Sequence, residues 1–487
     1  MRSLVELCTR CIADSLLEED AWIEGDEHAW LRSLPTEIRE GLLLALRGRA
    51  SPRLLSKIIA SDLQRVVVGL REEDKEHGWD GVASLAPPAS LELRGFRGAV
   101  GVEQIEAATD RLLGAGLTEL DLCDSQIKWC SFLHIAGCST LRTLRLGWIG
   151  VGVGAVFQIA ASRARLAELD LSGAAITFAA VEAVVEAFGA SLERLSLRSC
   201  GGISEDSSAG LEPLPKLTHL DVGMTNLDYY AIGALLEGRG GQLRHVDVSE
   251  CCGVDLRIIE GAFGALKFKP GTAALASMPE TLDLTAGGLP DLPLECLVVS
   301  WCDNVPAGAW AAVASRCPRL EALHARVYSE APDWLAAGAL RQKWHLRVVC
   351  LSRCPDIGDE TLRTLAAESP RLEQLEIDWS AASDGGVQAV LESCPLQYLN
   401  VAGCKLLTDA VVDLAAASPT LTYLDLTFCD CADVSEALSR RLPDRVLVVD
   451  YYNEQYRAGE LHEGRRYSTA LPDTPWDLMR LPVPCNG

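Results

Sequence analysis

Leucine and other aliphatic residues recur along this chain in one short pattern, LxxLxL or a close variant. It begins at Leu117, Leu141, Leu166, Leu192, Leu217, Leu243, Leu294, Leu320, Leu346, Leu372, Leu396 and Leu421. In Leu421-Thr422-Tyr423-Leu424-Asp425-Leu426 the alternation sets Leu424 and Leu426 on one face of a short strand and Tyr423 and Asp425 on the other. Each strand is followed by a turn and then by a helical stretch such as 409–417, where Val411, Val412, Leu414 and Ala415 make one apolar stripe. The starts lie 24 to 26 residues apart except for one step of 51 between Leu243 and Leu294, so one unit there is degenerate or replaced.

That period falls in the range of roughly 20 to 29 residues of leucine-rich repeats. It predicts an α/β fold, a leucine-rich-repeat solenoid in which strands line the concave side of a horseshoe and helices the convex side. No unit can bury its apolar face alone, so neighbours must stack. An earlier unit uses Leu91 and Leu93, and Val446 to Val449 close the series, giving about fourteen units over 86–450. Residues 1–85 are expected to form a small N-terminal α-helical region and 451–487 a tail or cap. Within 267–293, Lys267-Phe268-Lys269-Pro270-Gly271 and the proline-rich GGLPDLPLE interrupt the rhythm, as an insertion or a functional protrusion.

The eighteen cysteines fit this scheme. Cys200, Cys251, Cys302, Cys354, Cys404 and Cys429 all fall at the ninth position of a unit, where a thiol serves as a small buried hydrophobe under the turn. Nothing directs the chain to an oxidising compartment, so a disulfide framework is not expected. The segments LVVSWCDNV, VVCLSRCPDIGDETL and LNVAGCKLLTDAVVDL resemble the cysteine-containing leucine-rich repeats of F-box substrate receptors, closely over about 192–438 and weakly before. The resemblance implies a protein-recognition scaffold and leaves the partner open.

The head of the chain carries the sharpest motif. Ser3-Leu4-Val5-Glu6-Leu7-Cys8-Thr9-Arg10-Cys11-Ile12 fits [STP]-L-x-x-x-C-x-x-x-[AILV]. On a helix Leu4, Cys8 and Ile12 share one face and Ser3 is suited to cap the first turn, a stripe made to enter an apolar groove. It resembles the BC-box of Elongin-C-binding receptors of the von Hippel–Lindau and SOCS-box group. By that resemblance Leu4 enters an adaptor pocket, and Cys8 and Ile12 complete the contact. Leu34-Pro35-Thr36-Glu37-Ile38, followed by Leu42, Leu43, Leu44 and Leu46, gives a second helix whose position matches the cullin-facing box of those receptors. A BC-box, an LPxEI segment and then leucine-rich repeats is also the order of the Zyg-11/Zer-1 family. The armadillo domain with which that family recognises glycine N-termini has no counterpart in this sequence, so that activity is not carried over. The same LPxEI…LLLAL run resembles the start of an F-box, which would take a Skp adaptor. A scaffold or signalling adaptor, its first 85 residues only a cap on the repeats, is the reading outside the ligase class.

Charge narrows the partners. The chain holds 44 Lys and Arg against 68 Asp and Glu, a net charge of −24, a field that repels phosphate backbones and anionic lipid. No apolar stretch approaches the roughly 18 residues of a membrane span, and Glu6, Arg10 and Asp14 interrupt any leader at the start. A cytoplasmic or nuclear protein without nucleic-acid or membrane partners is expected. Cys8 and Cys11 form a lone CxxC, Gly150, Gly152 and Gly154 lack the context of a phosphate loop, and no nucleophile can be assigned around the histidines. No catalysis, metal or cofactor is expected.

The recognition surface is expected on the concave face. Fifth positions hold Asp121, Asp170, Asp221, Asp247, Glu376 and Asp425, a ladder of carboxylates that would favour a protein partner with a basic segment. Trp301, Trp379 and Phe428 at the eighth position, with Tyr398 and Tyr423 at the third, supply aromatic anchors.

Overall fold

The structure is a computed structural model, and it describes chiefly residues 29–70, 88–96, 116–126, 137–203, 214–227, 242–251, 293–298, 317–325, 345–429 and 442–449, apart from single positions within them, with a few short pieces elsewhere. The chain divides into two compact units that part after Thr218.

In the first unit, a 3-10 helix (Ala29–Ser33) and helices α1 (Thr36–Ala45) and α2 (Pro52–Ile58) precede six strands: β1 (Arg65–Gly69), β2 (Ser90–Arg94), β3 (Glu119–Asp121), β4 (Thr143–Arg145), β5 (Glu168–Asp170) and β6 (Arg194–Ser196). Each pairs in parallel with the next, so that Leu91, Leu120, Leu144, Leu169 and Leu195 stand in one row. Helices α3 (Val153–Ala160) and α4 (Phe178–Phe188) turn their apolar faces inward, with Val156 and Ile159 of α3 and Val181, Val184 and Phe188 of α4 buried. The parallel ladder starts one strand earlier than the periodicity suggests. β1 pairs with β2 over five residues, and Val66, Val67 and Val68 are buried in succession, so this strand carries no alternation to find.

The second unit continues the same construction with β7 (His219–Asp221), β8 (His245–Asp247), β9 (Cys296–Val298), β10 (Ala322–His324), β11 (Val348–Cys350), β12 (Gln374–Glu376), β13 (Tyr398–Asn400), β14 (Tyr423–Asp425) and β15 (Leu447–Val449). Helices α5 (Asp359–Glu368), α6 (Asp384–Ser393) and α7 (Ala410–Ala417) follow β11, β12 and β13. β8 pairs directly with β9, so the long step between Leu243 and Leu294 leaves the strand register unbroken. The irregular segment 267–293 lies outside the described residues except for its last position. After β15 the direction reverses: β16 (Gln455–Arg457) and β17 (Glu460–Leu461) add antiparallel to the final strand, as a cap on an otherwise open sheet edge.

The energetics are those of stacked leucine rows. Leu421, Leu424 and Leu426 are all fully buried, and each such side chain contributes roughly 1.5–3 kcal/mol over an exposed one.

Two further devices repeat with the period. The ninth-position thiols are hydrogen-bond donors as well as fillers. Cys200 donates to Leu171 O at 3.3 Å, Cys251 to Val222 O at 3.0 Å, Cys404 to Ile377 O at 3.2 Å and Cys429 to Val401 O at 3.1 Å, each reaching the sixth-position carbonyl of the unit before. Burial pushes the Cys251 thiol up to about 11, so it stays protonated and able to donate. Cys302 is outside the described residues.

The eighth position is left-handed throughout the described units. Asp124, Trp148, Ser199, Met224, Arg353, Trp379 and Phe428 have φ between 54° and 61°, and Gly173 and Gly403 sit at 71° and 70°. For a residue with a Cβ this conformation costs about 1–2 kcal/mol. The return is an extra rung beyond the strand: Trp148 N donates to Ser172 O at 2.8 Å and Trp379 N to Ala402 O at 2.7 Å, in each case to the seventh-position carbonyl of the next unit.

Candidate recognition surfaces

At the N-terminal end, Pro35 stands before the first turn of α1 and its carbonyl accepts the amides of Ile38 and Arg39, both at 3.1 Å. Inside, Leu42 and Leu43 are buried, and Arg39 lies beneath the LPxEI segment, donating from Nε to Leu34 O at 3.0 Å and pairing with Asp62. The Arg39 hydrogen bond holds the Asp62 carboxyl below its usual range. Of the predicted adaptor-side residues, Pro35 is exposed and Leu34 and Ile38 are half-buried; Leu44 and Trp30, which lie outside that predicted set, reach 45% and 48% exposure. Of the BC-box, Ser3, Leu4 and Cys8 lie outside the described residues. Ile12 is helical and half-buried, while its neighbours Thr9, Ala13 and Leu16 are buried. The Thr9 methyl sits 3.1 Å from where a Cβ on Gly41 would fall, so Thr9 packs on α1. Thr9 and Ala13 each follow a motif position by one residue, about 100° of helix, whereas the buried Leu16 lies four residues after Ile12 and so continues the motif's own stripe.

The strand face of the first unit is closed by charge. Arg47 pairs with Glu92 at 2.5 Å, Arg94 with Glu92 at 3.2 Å and with Asp121 at 2.7 Å, Arg145 with Asp121 at 3.6 Å and with Glu168, and Arg194 with Glu168 at 3.2 Å. Burial alone would raise Asp121, but Arg94 and Arg145 outweigh it and hold the carboxyl at about 2. Asp170 is the opposite case. Burial raises it to about 6, against the hydrogen bonds from Ser172, with the charge of Asp121 adding to the rise.

A carboxyl whose folded pKa lies above the ordinary 3.8 contributes stability that is complete below pH 4 and is lost as pH rises through 6. Its ionisation is expected to cost on the order of 2–3 kcal/mol between those limits. Thermal melts of Asp170→Asn should thus gain on the parent at pH 7.5 relative to pH 4.5. Parallel pH profiles for the two proteins would contradict the assignment.

The fifth-position carboxylates are placed differently from the open ladder that their spacing suggests. Asp121, Asp170, Asp221, Asp247, Glu376 and Asp425 are all buried. The aspartates curl back to accept the amide two residues on: Asp121 from Cys123 at 3.1 Å, Asp170 from Ser172 at 2.9 Å, Asp221 from Gly223 at 3.0 Å, Asp247 from Ser249 at 2.8 Å and Asp425 from Thr427 at 2.9 Å. Each is an Asx-turn that ends its strand. Glu376 accepts the Cys350 thiol at 3.2 Å. As direct contacts for a basic partner all six are corrected to buried residues, the five aspartates forming turns.

Of the candidate aromatics Trp379 and Phe428 are the exposed pair, and Tyr398 and Tyr423 are half-buried. In the second unit Trp379 and Phe428 are 44% and 47% exposed, with ring centroids 6.0 Å apart. Tyr398 and Tyr423 stack at 4.6 Å with their planes 2° apart. Trp301 is outside the described residues. Sequence reasoning missed Gly403, which separates Trp379 from Phe428 along the eighth-position row. A Cβ there would come within 2.6 Å of the Trp379 ring, so the indole lies flat across the glycine of the next unit. In the first unit Trp148 covers Gly173 in the same way, at 2.7 Å. An aromatic at one eighth position followed by glycine at the next is the signal that would have found both.

Among the described residues no group of three or more His, Cys, Asp or Glu side chains is placed to hold a metal, and no helix is long and apolar enough to cross a membrane.

Fold and surface together define an α/β solenoid of leucine-rich repeats. Residues 417–433 match a family model described as Leucine Rich repeat. The F-box protein SKIP1 of Arabidopsis thaliana is 29% identical over 112 residues, which is 23% of this chain and 35% of that protein, so the likeness spans about a third of the relative's length. Among solved structures, the crystal structure of the Rad7 and Elc1 complex in yeast superposes with a TM-score of 0.50 at 19% identity, covering 88% of this chain and 94% of that one.

Proposed function

We propose that this chain is a non-enzymatic substrate receptor of a cullin-RING ubiquitin ligase, working in the cytoplasm or nucleus. Its N-terminal helical region docks an Elongin-C-like adaptor and a cullin, and its repeats hold the protein to be modified. The ubiquitin transfer belongs to the partner subunits. The observation that carries this reading is the apolar surface exposed at the head of the chain. Pro35, Leu44 and Trp30 are exposed, and Ile12 of the motif stays half-buried while Thr9, Ala13 and Leu16 around it are buried. An isolated cap would have no use for an apolar outer face. The likeness to Rad7, crystallised with Elc1, adds support for a second subunit on this type of fold.

One observation favours a second reading, in which the adaptor is of the Skp type: the relative SKIP1 is an F-box protein. Titration calorimetry of the full chain with a purified Elongin-C-like adaptor tests the first reading. Binding by the parent, weakened at least tenfold in the Leu4→Ala, Cys8→Ala double variant, is expected. Absence of binding by the parent, or equal binding by both proteins, would remove the Elongin-type assignment.

A further inference from the structure

The two units treat their strand faces differently. In the first, the carboxylates Glu92, Asp121 and Glu168 each pair with arginines. In the second, among the described residues, no arginine or lysine forms an ion pair with Asp378 or Asp425. These two acids lie between two aromatic rows. Positions three, five and seven of a unit share one face of the strand, which puts Tyr398 and Tyr423 at one side, Asp425 and Asp378 in the middle, and the Trp379 and Phe428 pair just past the strand end. Tyr423 Oη donates to Asp425 Oδ2 at 3.4 Å, which fixes the tyrosine and the acid on the same face.

From this arrangement we infer that the face bounded by Tyr398, Tyr423, Trp379 and Phe428 takes an extended, arginine-bearing segment of the captured protein, one guanidinium lying over the exposed indole with Asp378 beside it. The inference deepens the receptor reading and rests on it for the identity of the occupant as a captured protein.

Three physical arguments select a cation over a neutral or acidic segment. The indole is the strongest of the aromatic faces for a cation, and a guanidinium stacks on it as well as attracting it. Asp378, half-buried and in no ion pair among the described residues, is the carboxylate within reach of an incoming guanidinium, whose charge would also relieve the repulsion between Asp378 and Asp425. The chain as a whole bears −24, which steers basic segments toward it. The left-handed backbone adds preorganisation. Trp379 and Phe428 are held at φ 58° and 59° with the indole seated on Gly403, so the aromatic face is presented without searching rotamers at the moment of binding.

The test is fluorescence anisotropy at physiological salt with the full chain and a labelled octapeptide of alternating glycine and arginine, beside its glutamate counterpart. Trp379→Gly, whose new residue suits the left-handed backbone, is expected to weaken the arginine peptide at least tenfold, and Asp378→Asn at least threefold. Glu182→Gln with Glu186→Gln, which removes two exposed charges from α4 in the first unit, should leave affinity within twofold. Equal binding of the two peptides, no saturable binding, or a loss in the α4 variant as large as that in Asp378→Asn would each overturn the inference. Adaptor binding measured on the same preparations separates the two claims. A chain that binds adaptor and no peptide keeps the receptor reading and loses this inference, and the reverse result loses the receptor reading alone.

Discussion

Replacing Gly202 by alanine is expected to destabilise the first unit by about 3 kcal/mol or more, while the same change at the adjacent Gly201 should cost less than about 1 kcal/mol. The two glycines share a turn after β6 and differ in what a methyl group would meet. At Gly202 a Cβ would lie 1.7 Å from the carbonyl oxygen of Ile176 and 2.8 Å from its carbon, whereas at Gly201 nothing stands within 4 Å. The obstacle at Gly202 is backbone, and that backbone runs directly into Thr177, the N-cap of α4. No rotamer change relieves such a contact, so the turn must lift away from the unit beneath it, loosening the stack that buries both leucine rows. Urea titrations of the two variants, compared by midpoint at constant m-value, check the difference. Equal midpoints would show that these two units do not approach as closely as described.

Arg145→Met is expected to cost on the order of 3 kcal/mol at neutral pH despite keeping most of the side-chain volume. Arg145 bridges Asp121 and Glu168, two carboxylates from the flanking strands, and all three side chains are largely withdrawn from water. Removing the cation leaves two buried negative charges to share Arg94 and Arg194, and a buried carboxylate short of its partner is far more costly than a surface one. Arg244→Met is the control, because its pair with Glu295 is exposed and should contribute no more than about 0.5 kcal/mol. High salt should barely change the Arg145 effect. A loss at Arg145 no larger than at Arg244 would mean that the ladder is solvated rather than buried.

How far the sequence discloses this molecule follows from which interactions have a period. Leucine rows do, since every strand must bury positions one, four and six against its neighbours, and the strands from β2 to β15 could be placed on that basis. β1 could not, because Val66 to Val68 are buried one after another and show no alternation. The ninth-position cysteines read correctly as buried, but their donor role depends on a carbonyl contributed by the preceding unit, which no local pattern records. The fifth-position acids read correctly as recurrent and wrongly as open. Periodicity assigns a side chain to a face and is silent on a carboxylate that bends back to an amide two residues on. The left-handed eighth position was hidden by its occupants, since tryptophan, phenylalanine and methionine are residues that propensity would keep out of that conformation. Of the candidate sites, Trp379 and Phe428 are exposed close together, with Gly403 as the unforeseen seat of the indole.

We propose above all that the first residues of the chain serve another protein. The most direct measurement of this is a competition: full-length protein with equal amounts of an Elongin-C-like and a Skp-type adaptor, analysed by native mass spectrometry. A one-to-one complex with the Elongin-C-like adaptor, lost in the Leu4→Ala, Cys8→Ala variant, is expected. A chain that stays alone in the mixture, or that selects the Skp-type adaptor, would contradict it.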